Sequence, residues 1–290
     1  MSTAFISGGA EGQGYLLARK LAQRGWRVFA GVLPNARSEG FADLPNVTTV
    51  EQDVSDPDSV IRSAEIVEAA LNGEGIDLLM NVAGIADVGS GPLENAKTAD
   101  IRKVFEINTF GQLRLIQAFL PAMRRAKLGA RIMNYASGAV LVTPPCAGVY
   151  SMSKHAVHGM TLTLRGELAP FGIQITTVMP GGVLTNMSKN SHQTTKDMWD
   201  RVRPEIRKIY EPFLLKPTTE VLPDLLEKSG STPEQAVDAA LLLLDIKRWK
   251  SFYTVGKDAA ALKPMWKLLP EAWFEAMLRS TYKVPALRTK

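Results

Sequence analysis

The sequence predicts an α/β fold in which a doubly wound, mainly parallel sheet carries helices on both faces. Two observations support this prediction. Short apolar segments alternate with helical periodicity over most of the chain, and glycine or polar residues directly follow several of these segments. Strands that alternate with helices usually pair in parallel and bind ligands at their carboxyl ends. We therefore expect the special residues to collect at one edge of the sheet.

Six short apolar segments are predicted strands, and a seventh, SFYTVG, begins at Ser251. The six are TAFISG (3–8), WRVFAGV (26–32), NVTTVEQDV (46–54), IDLLMNVAG (76–84), ARIMNYAS (130–137) and IQITTVMPGG (173–182). Helices are predicted over 14–24, over a segment opened by Ser55–Pro57 and closed by Asn72–Gly73, and over about 96–127 and 150–169. We find no linker or internal repeat, so we expect a single domain over 1–290.

Composition narrows the class of protein. The chain has 290 residues and a net charge of +5, and ten of its basic residues lie between Lys247 and Lys290. A basic tail without a stripe of stacking aromatics argues against nucleic-acid binding. We see no apolar run of membrane-spanning length, no signal peptide and only one cysteine, Cys146, so we expect a cytoplasmic protein without disulfides.

The first candidate site is the glycine-rich stretch SGGAEGQG, residues 7–14, between the first strand and the first helix. Glycines allow a backbone to approach a pyrophosphate, and a helix N-terminus offers free N–H groups. A plain strand–turn–helix connection is the alternative.

The second candidate site combines Ser137, Tyr150 and Lys154. Tyr150 and Lys154 are four residues apart, on one face of a predicted helix. A nearby ammonium favours the phenolate and so lowers the pKa of a tyrosine, while a serine hydroxyl can hold a substrate oxygen. These groups suit proton exchange with an alcohol or carbonyl oxygen; an ordinary Tyr–Lys pair on a helix surface is the alternative.

In chain order these motifs resemble the short-chain dehydrogenase/reductase family over roughly residues 3–186. The branch most like this chain contains retinol, hydroxysteroid and 3-hydroxybutyrate dehydrogenases. Two departures from the family pattern are Ser7, which replaces a threonine, and Val82, which replaces an asparagine. The resemblance implies a Rossmann-type sheet and a C-terminal helical substrate lid. The lid would span about 186–230, with a further extension over about 257–290.

The resemblance also implies roles for individual residues. Tyr150 would be the general acid and base, Lys154 would assist it, Ser137 would orient the substrate oxygen, and Asn108 would hold a water in the proton relay. The expected cofactor-binding residues are Ser7, Gly8, Glu11, Gly12, Gln13, Gly14, Val32, Asp53, Val54, Asn81, Ala83, Gly84, Tyr150, Lys154, Pro180, Gly181, Val183 and Thr185.

The choice between NAD and NADP depends on the end of the second strand. Val32 stands where an acidic residue would select NAD, so that signature is missing. Arg37 could reach a 2′-phosphate, whereas Glu11 should repel one. We favour NAD, with NADP as the alternative.

The expected substrate is a small hydrophobic secondary alcohol of steroid, retinoid or aryl type. Pocket residues would be Pro144, Pro145, Cys146 and Val149, with lid residues Met187, Met198, Trp199, Tyr210 and Phe213, which could instead simply pack the lid. A 3-hydroxy acid is the alternative substrate, with Lys189, His192 and Lys196 as candidate carboxylate ligands. A catalytically silent nicotinamide-sensing protein is the alternative function, and a glycine-rich methyltransferase has no use for the Ser–Tyr–Lys set.

Two further expectations concern assembly and metals. The helix around Asn108 is apolar nearly all round, and the resemblance implies that it and the helix of Tyr150 and Lys154 form a two-fold interface, so we expect a homodimer or homotetramer. The apolar C-terminal segment around Trp266 and Trp273 could cap the pocket, pair with another subunit or touch a membrane surface, in that order of preference. The three histidines lack partners for a metal site, so we expect no metal.

Overall fold

The structure is a computed structural model that describes residues 1–34, 36, 39–86, 88–127, 129–184 and 191–285. Seven strands form its sheet: β1 (Thr3–Ser7), β2 (Arg27–Val32), β3 (Val47–Glu51), β4 (Leu78–Asn81), β5 (Arg131–Tyr135), β6 (Gln174–Pro180) and β7 (Phe252–Val255). Their order is β3-β2-β1-β4-β5-β6-β7, and each neighbouring pair is parallel. The predicted strands are therefore present, and the described sheet is parallel throughout.

Eleven α-helices are described, and they are numbered here in chain order. They are α1 (Gly12–Gln23), α2 (Pro57–Leu71), α3 (Thr98–Phe105), α4 (Gly111–Met123), α5 (Gly148–Leu168), α6 (Ser191–Asp200), α7 (Pro204–Lys216), α8 (Leu222–Ser229), α9 (Pro233–Leu241), α10 (Lys257–Leu268) and α11 (Glu271–Tyr282). Two π-helical segments, Glu106–Phe110 and Pro217–Val221, follow α3 and α7. The predicted helix over 96–127 is therefore divided by a π-helical turn.

Local sequence signals explain where α2 begins and ends. The Asp56 side chain accepts a hydrogen bond from the Asp58 amide at 3.0 Å, and Pro57 occupies the first turn. Asn72 takes a left-handed conformation with φ of 49° and ends the helix, as asparagine can do at little cost. Both boundaries were predicted from the sequence.

Helices cover both faces of the sheet. One apolar cluster joins one face to α1 and α9, including Leu17, Leu21 and Val237. The opposite cluster joins the other face to α2, α4 and α5, including Val67 and Phe119. This two-sided burial confirms the predicted doubly wound fold.

The fold brings the loops that follow β1, β4, β5 and β6 to one edge of the sheet. The chain runs from β1 outward through β2 to β3 and then crosses back to β4 on the other side of β1, so the direction of strand addition reverses there. Such a reversal opens a crevice at the carboxyl ends of the strands, where ligands of doubly wound sheets bind. The helices α6, α7 and α8 fall within the segment predicted as a lid. In the described ranges no helix combines the length and apolar character needed to cross a bilayer.

Candidate active site

The glycine-rich loop is shaped by close backbone packing. Gly8 has a φ of +69°, and a Cβ on it would lie 3.0 Å from the Cα of Ala83. A Cβ on Gly14 would overlap the carbonyl of Gly8. Only glycine fits at either position, because a side chain would push the loop away from β4 or from the first turn of α1.

The start of α1 has room for an anion. Glu11 is the N-cap residue, but its side chain caps no backbone N–H. Gly12 has a φ of +58°, and a Cβ there would meet no atom within 4 Å. A helix N-terminus without a side-chain cap, beside open space, fits a dinucleotide pyrophosphate.

Ser7 and Asn81 are buried at the ends of β1 and β4. The Ser7 hydroxyl accepts hydrogen bonds from the amides of Val82, at 3.0 Å, and Ala83, at 3.1 Å. The Asn81 side chain donates to Asn134 Oδ1 at 2.8 Å. Ser7 therefore holds the loop after β4 in place, whereas Asn81 joins β4 to β5 and its Oδ1 is buried without a hydrogen-bond partner among the described residues.

Asn134 was missed by the sequence analysis. Its amide donates to the Thr161 hydroxyl at 2.9 Å, which ties β5 to α5 behind the Tyr–Lys pair. Asn134, Asn81 and Thr161 are each fully buried. An asparagine in the middle of an apolar strand was the available signal, because a buried amide needs a partner.

Asn108 lies in the first π-helical segment and is fully buried. Its Oδ1 accepts from the Ile85 amide at 2.8 Å, and its Nδ2 donates to the Ile85 carbonyl at 2.9 Å and to the Ser153 hydroxyl at 3.1 Å. π-helical turns often occur at functional sites. The side chain of Asn108 fixes the loop after β4 and is fully used by protein partners.

Ser137, Tyr150 and Lys154 come together as predicted from the sequence. Ser137 follows β5, and its hydroxyl accepts from the Ala139 amide at 3.1 Å. The Ser137 side chain lies close enough to Tyr150 to act on the pKa of its hydroxyl. Lys154 Nζ lies 5.7 Å from the centre of the Tyr150 ring and donates to the Tyr135 carbonyl at 3.0 Å.

Burial is the main cause of the pKa shifts of Tyr150 and Lys154. Loss of hydration raises the pKa of Tyr150, and the hydrogen bond to Ser137 opposes that rise. Burial also lowers the pKa of Lys154 to about 8. The expected lowering of the Tyr150 pKa by Lys154 is not present in the protein alone, because the ammonium turns to a backbone carbonyl and is itself disfavoured by burial.

The other expected cofactor residues lie along the same edge. Val32 is buried at the end of β2, while Glu11 is exposed. The carboxylate of Asp53 accepts from the amide and hydroxyl of Ser55, at 2.8 and 2.6 Å, and so caps its own turn. Val54 is buried against the backbone of Gly111. Gln13 Oε1 is buried without a hydrogen-bond partner among the described residues.

The segment after β6 is held by hydrogen bonds on both sides. The amide of Gly181 donates to the Val255 carbonyl at 2.9 Å, and the amide of Gly182 donates to Asp258 Oδ2 at 2.6 Å. Val183 pairs with Ser231 in an isolated bridge. Thr185 lies outside the described residues, as do Arg37, Met187 and Lys189.

A cavity of about 140 Å³ lies between the loop before α5 and the helices of the predicted lid. Its lining includes three of the four expected pocket residues of that loop, together with Met198. The lining residues are Ser90, Pro144, Pro145, Cys146, Ala147, Thr194, Thr195, Met198, Arg201, Thr218 and Leu222. Val149 is instead buried beside Gly89. Burial raises the pKa of the Cys146 thiol to about 12, as suits a packing residue better than a nucleophile.

The aromatic lid residues have different environments. Trp199 is 1% exposed and donates from its indole to the Thr218 hydroxyl at 2.8 Å, so it packs the lid helices together. The Tyr210 hydroxyl donates to Glu94 at 2.9 Å, and Phe213 is exposed. Among the expected lid residues that are described, Met198 is the one that lines the cavity.

The candidate carboxylate ligands do not converge on this cavity. His192 Nδ1 is 2.9 Å from the Thr219 carbonyl, and its Nε2 is 3.6 Å from Asp224 and 3.5 Å from Glu227. Lys196 is exposed and does not line the cavity. No group of three or more potential metal ligands occurs in the part of the chain that the structure describes.

The C-terminal helices pack beside the loop that carries Ser137. Phe274 of α11 is buried in an apolar cluster with Ala136, Leu141 and Val142. α11 also contacts the second π-helical segment, between α7 and α8. On the opposite side, Leu268 is 81% and Trp273 is 70% exposed. The segment therefore both supports the site and presents apolar side chains to solvent.

Comparison with known proteins identifies the family. The model of the family described as short chain dehydrogenase matches residues 2–196. Retinol dehydrogenase 16 of Mus musculus is 30% identical over 97% of this chain and 89% of its own length. A 3-amino-tetrahydro-pyrrolizinone reductase of Xenorhabdus hominickii is 30% identical over 93% of each chain.

A solved structure agrees over nearly the whole chain. A short chain dehydrogenase of Burkholderia cenocepacia J2315, crystallised in complex with NADP, is 26% identical and superimposes with a TM-score of 0.71. The alignment covers 98% of both chains. These comparisons agree with the motifs found in the sequence. This chain is therefore an oxidoreductase that belongs to the short-chain dehydrogenase family, in its retinol dehydrogenase branch.

Proposed function

We propose that this chain interconverts a hydrophobic secondary alcohol and its ketone with a nicotinamide dinucleotide, using Tyr150 to exchange the proton. The observation that carries the proposal is the convergence of three side chains: Lys154 Nζ lies 5.7 Å from the centre of the Tyr150 ring, and Ser137 lies close enough to Tyr150 to act on the pKa of its hydroxyl. This group lies at the same edge of the sheet as the glycine-rich loop. Proton exchange and hydride exchange can therefore act on one substrate.

Ser137 and Tyr150 hold the substrate oxygen between their hydroxyls. In alcohol oxidation the Tyr150 phenolate takes the hydroxyl proton, and in ketone reduction the Tyr150 phenol returns it. When bound, the nicotinamide accepts or donates the hydride at the carbinol carbon. Because burial raises the pKa of Tyr150, the phenolate needs help, and the Lys154 ammonium one turn away is the group that can supply it.

The described residues fit the dinucleotide. Gly12 leaves space for the pyrophosphate, while Gly8 and Gly14 allow the close backbone packing that shapes the loop. Asp53 and Val54 would border the adenine, Lys154 would hold the ribose, and the backbone of Val183 would meet the carboxamide, as Thr185, outside the described residues, is also proposed to do. Asn108 places the loop after β4 and, through its π-helical turn, the water of the proton relay.

NAD is the cofactor we propose. Val32 is a buried apolar residue, so β2 ends without a carboxylate that would select NAD. The nearby described cation, Arg19, is bound to both carboxylate oxygens of Asp43 at 2.8 and 2.6 Å. The exposed Glu11 would repel a 2′-phosphate. The Burkholderia relative was crystallised with NADP, so both cofactors belong in the test.

The apolar cavity under α6 supports a hydrophobic substrate. Pro144, Pro145 and Met198 give the cavity an apolar lining. The flexible Met198 side chain can adapt to the shape of a substrate. Related proteins include a retinol dehydrogenase and a reductase of a heterocyclic substrate, which agrees with an apolar pocket that differs in detail within the family.

Arg201 favours a second candidate, a hydroxy acid whose apolar part fills the same cavity. Arg201 lines the cavity and is exposed. Its guanidinium can bind a carboxylate with two hydrogen bonds. It replaces His192 and Lys196 as the candidate carboxylate ligand. Arg201→Gln should raise KM for an acid substrate and leave KM for a neutral alcohol unchanged.

A homodimer or homotetramer is the assembly we propose. Phe110 is 44% exposed at the end of the π-helical segment, and Met152 of α5 is 43% exposed, so both helices expected at the interface carry uncovered apolar side chains. Phe110→Glu should reduce the mass measured by light scattering to that of a monomer. An unchanged oligomer would place the interface elsewhere.

The test of the function is an assay of reduced-nicotinamide absorbance with purified protein. The panel contains steroid, retinoid, aryl and hydroxy-acid alcohols, each with NAD and with NADP. Turnover of an apolar alcohol supports the proposal and identifies the cofactor. Tight cofactor binding without turnover of any alcohol would instead indicate a protein that senses the cofactor.

A further inference from the structure

A carboxylate from the C-terminal extension reaches the backbone of the segment after β6. Asp258 lies in the first turn of α10, 76 residues from Gly182, and its Oδ2 accepts the Gly182 amide hydrogen at 2.6 Å. Its Oδ1 is buried without a hydrogen-bond partner among the described residues. That oxygen lies against Gly181, where an added Cβ would overlap it. A carboxylate packed this closely fixes the backbone it touches.

Ser231 holds the same segment from another direction. The Ser231 amide donates to the Gly182 carbonyl at 2.8 Å, and the Leu184 amide donates to the Ser231 carbonyl at 2.9 Å. With Asp258, these bonds use both polar groups of Gly182. The direction of the next peptide, at Val183, is therefore set by partners that lie after the family-matched part of the chain.

The first turn of α10 also touches the loop that carries Ser137. Ala259 is 1% exposed, and a Cβ on Gly138 would lie 3.9 Å from its methyl group and 3.3 Å from the Pro180 carbonyl. Gly256 has a φ of +100°, which turns the chain from β7 into α10. One turn of helix thus supports two loops of the candidate active site.

We propose that Asp258 is a positioning residue that couples the C-terminal helices to the cofactor-binding segment 180–183. Its carboxylate makes a charge-assisted hydrogen bond to Gly182, and its place in the first turn of α10 is favourable for a negative charge. The inference rests on the proposed function only in assigning segment 180–183 to the nicotinamide end of the cofactor. Without Asp258, the Gly182 amide loses its acceptor and the segment is held by the Ser231 bonds alone.

The test compares Asp258→Ala, Asp258→Asn and the control Glu271→Ala, which removes the exposed first-turn acid of α11. Cofactor Kd is measured by calorimetry, and kcat and KM are measured separately. We expect Asp258→Ala to weaken cofactor binding about tenfold or more, as loss of a hydrogen bond to a charged group does. Asp258→Asn should retain most of the affinity, because its amide oxygen still accepts from Gly182, and Glu271→Ala should match the unchanged protein.

Amide hydrogen exchange of the peptide around Gly182 gives a second readout that needs neither cofactor nor turnover. Exchange there should quicken about tenfold or more in Asp258→Ala, with β1 unchanged. Unchanged exchange and unchanged Kd would overturn the inference, and so would equal losses in Asp258→Ala and Glu271→Ala. If the wild-type protein binds cofactor but turns over no alcohol, the proposed function fails while these two readouts still decide the role of Asp258.

Discussion

The edge of the sheet and the helices that follow it are built in opposite ways. At the edge, buried polar side chains are hydrogen-bonded to neighbouring strands and loops, as Asn81, Asn108 and Lys154 are, and each is less than 5% exposed. Beyond residue 190 the helices leave large apolar side chains in solvent, including Leu268 and Trp273. A buried polar network is rigid because breaking it is costly, whereas an apolar surface can repack. The edge is therefore suited to chemistry and the helices to fitting a variable substrate.

The largest expected effect is on the chemistry at the edge. Tyr150→Phe removes the hydroxyl that exchanges the proton and should lower kcat about a thousandfold or more. Cofactor Kd should stay nearly unchanged, because the ring and its packing remain. The measurement is steady-state turnover beside calorimetric cofactor binding, with Tyr253→Phe as the control. Normal turnover by Tyr150→Phe would show that the proton takes another path.

Lys154→Met should separate activity from stability. Burial places the Lys154 pKa at about 8, below its unfolded value, so the folded protein disfavours the ammonium. At pH 7 this penalty is fully present, and removing it should stabilise the fold by up to about 3 kcal/mol while turnover falls.

The sign of this stability difference can be checked by varying the pH. Between about pH 8 and the unfolded pKa of 10.5, the unfolded state binds the extra proton, so wild-type stability rises with pH relative to Lys154→Met. Denaturant unfolding at several pH values measures this difference, and the exposed Lys103→Met serves as control. A destabilised Lys154→Met at pH 7 would mean that the bond to the Tyr135 carbonyl outweighs the burial cost.

The glycine-rich loop should tolerate less change than a helix interior nearby. Gly14→Ala places a Cβ on the Gly8 carbonyl and should cost about 1–3 kcal/mol of stability, together with cofactor affinity. Gly166→Ala in α5 meets no atom within 4 Å and should instead stabilise the helix by about 0.5–1 kcal/mol. Thermal unfolding with and without cofactor measures both. Equal effects at the two positions would refute the close packing of the loop.

The smallest effect is expected in the lid. Met198→Ala removes carbon surface from the cavity and should raise KM for an apolar alcohol by about tenfold, while cofactor Kd is unchanged. Ile61→Ala, on the exposed face of α2, is the control. A change in cofactor Kd with no change in KM would show that α6 supports the edge of the sheet and not the substrate.

Much of the edge could be predicted from sequence because its signals are local. Gly8, Gly12 and Gly14 follow one strand directly, and Tyr150 and Lys154 are separated by one helical turn. The positions of the strands and the end of α2 at Asn72 also follow from short-range patterns. These parts are encoded by residues that lie close together in the chain.

The remaining contacts join distant residues. The partner of Asn81 is Asn134, 53 positions on, and the partner of Gly182 is Asp258, which no spacing reveals. The expectation for the Tyr150 pKa also failed for a non-local reason, because burial depends on every element packed around the site. Arg201 lines the cavity while His192 and Lys196 do not, because the fold of the lid decides which side chains meet the cavity.

The most direct test of the central claim uses an apolar alcohol deuterated at its carbinol carbon. We predict that the deuterium appears in the reduced nicotinamide, with one label per turnover, and that Tyr150→Phe forms almost none while still binding the cofactor. Product ketone without label in the nicotinamide, or equal labelling by Tyr150→Phe, would contradict the account.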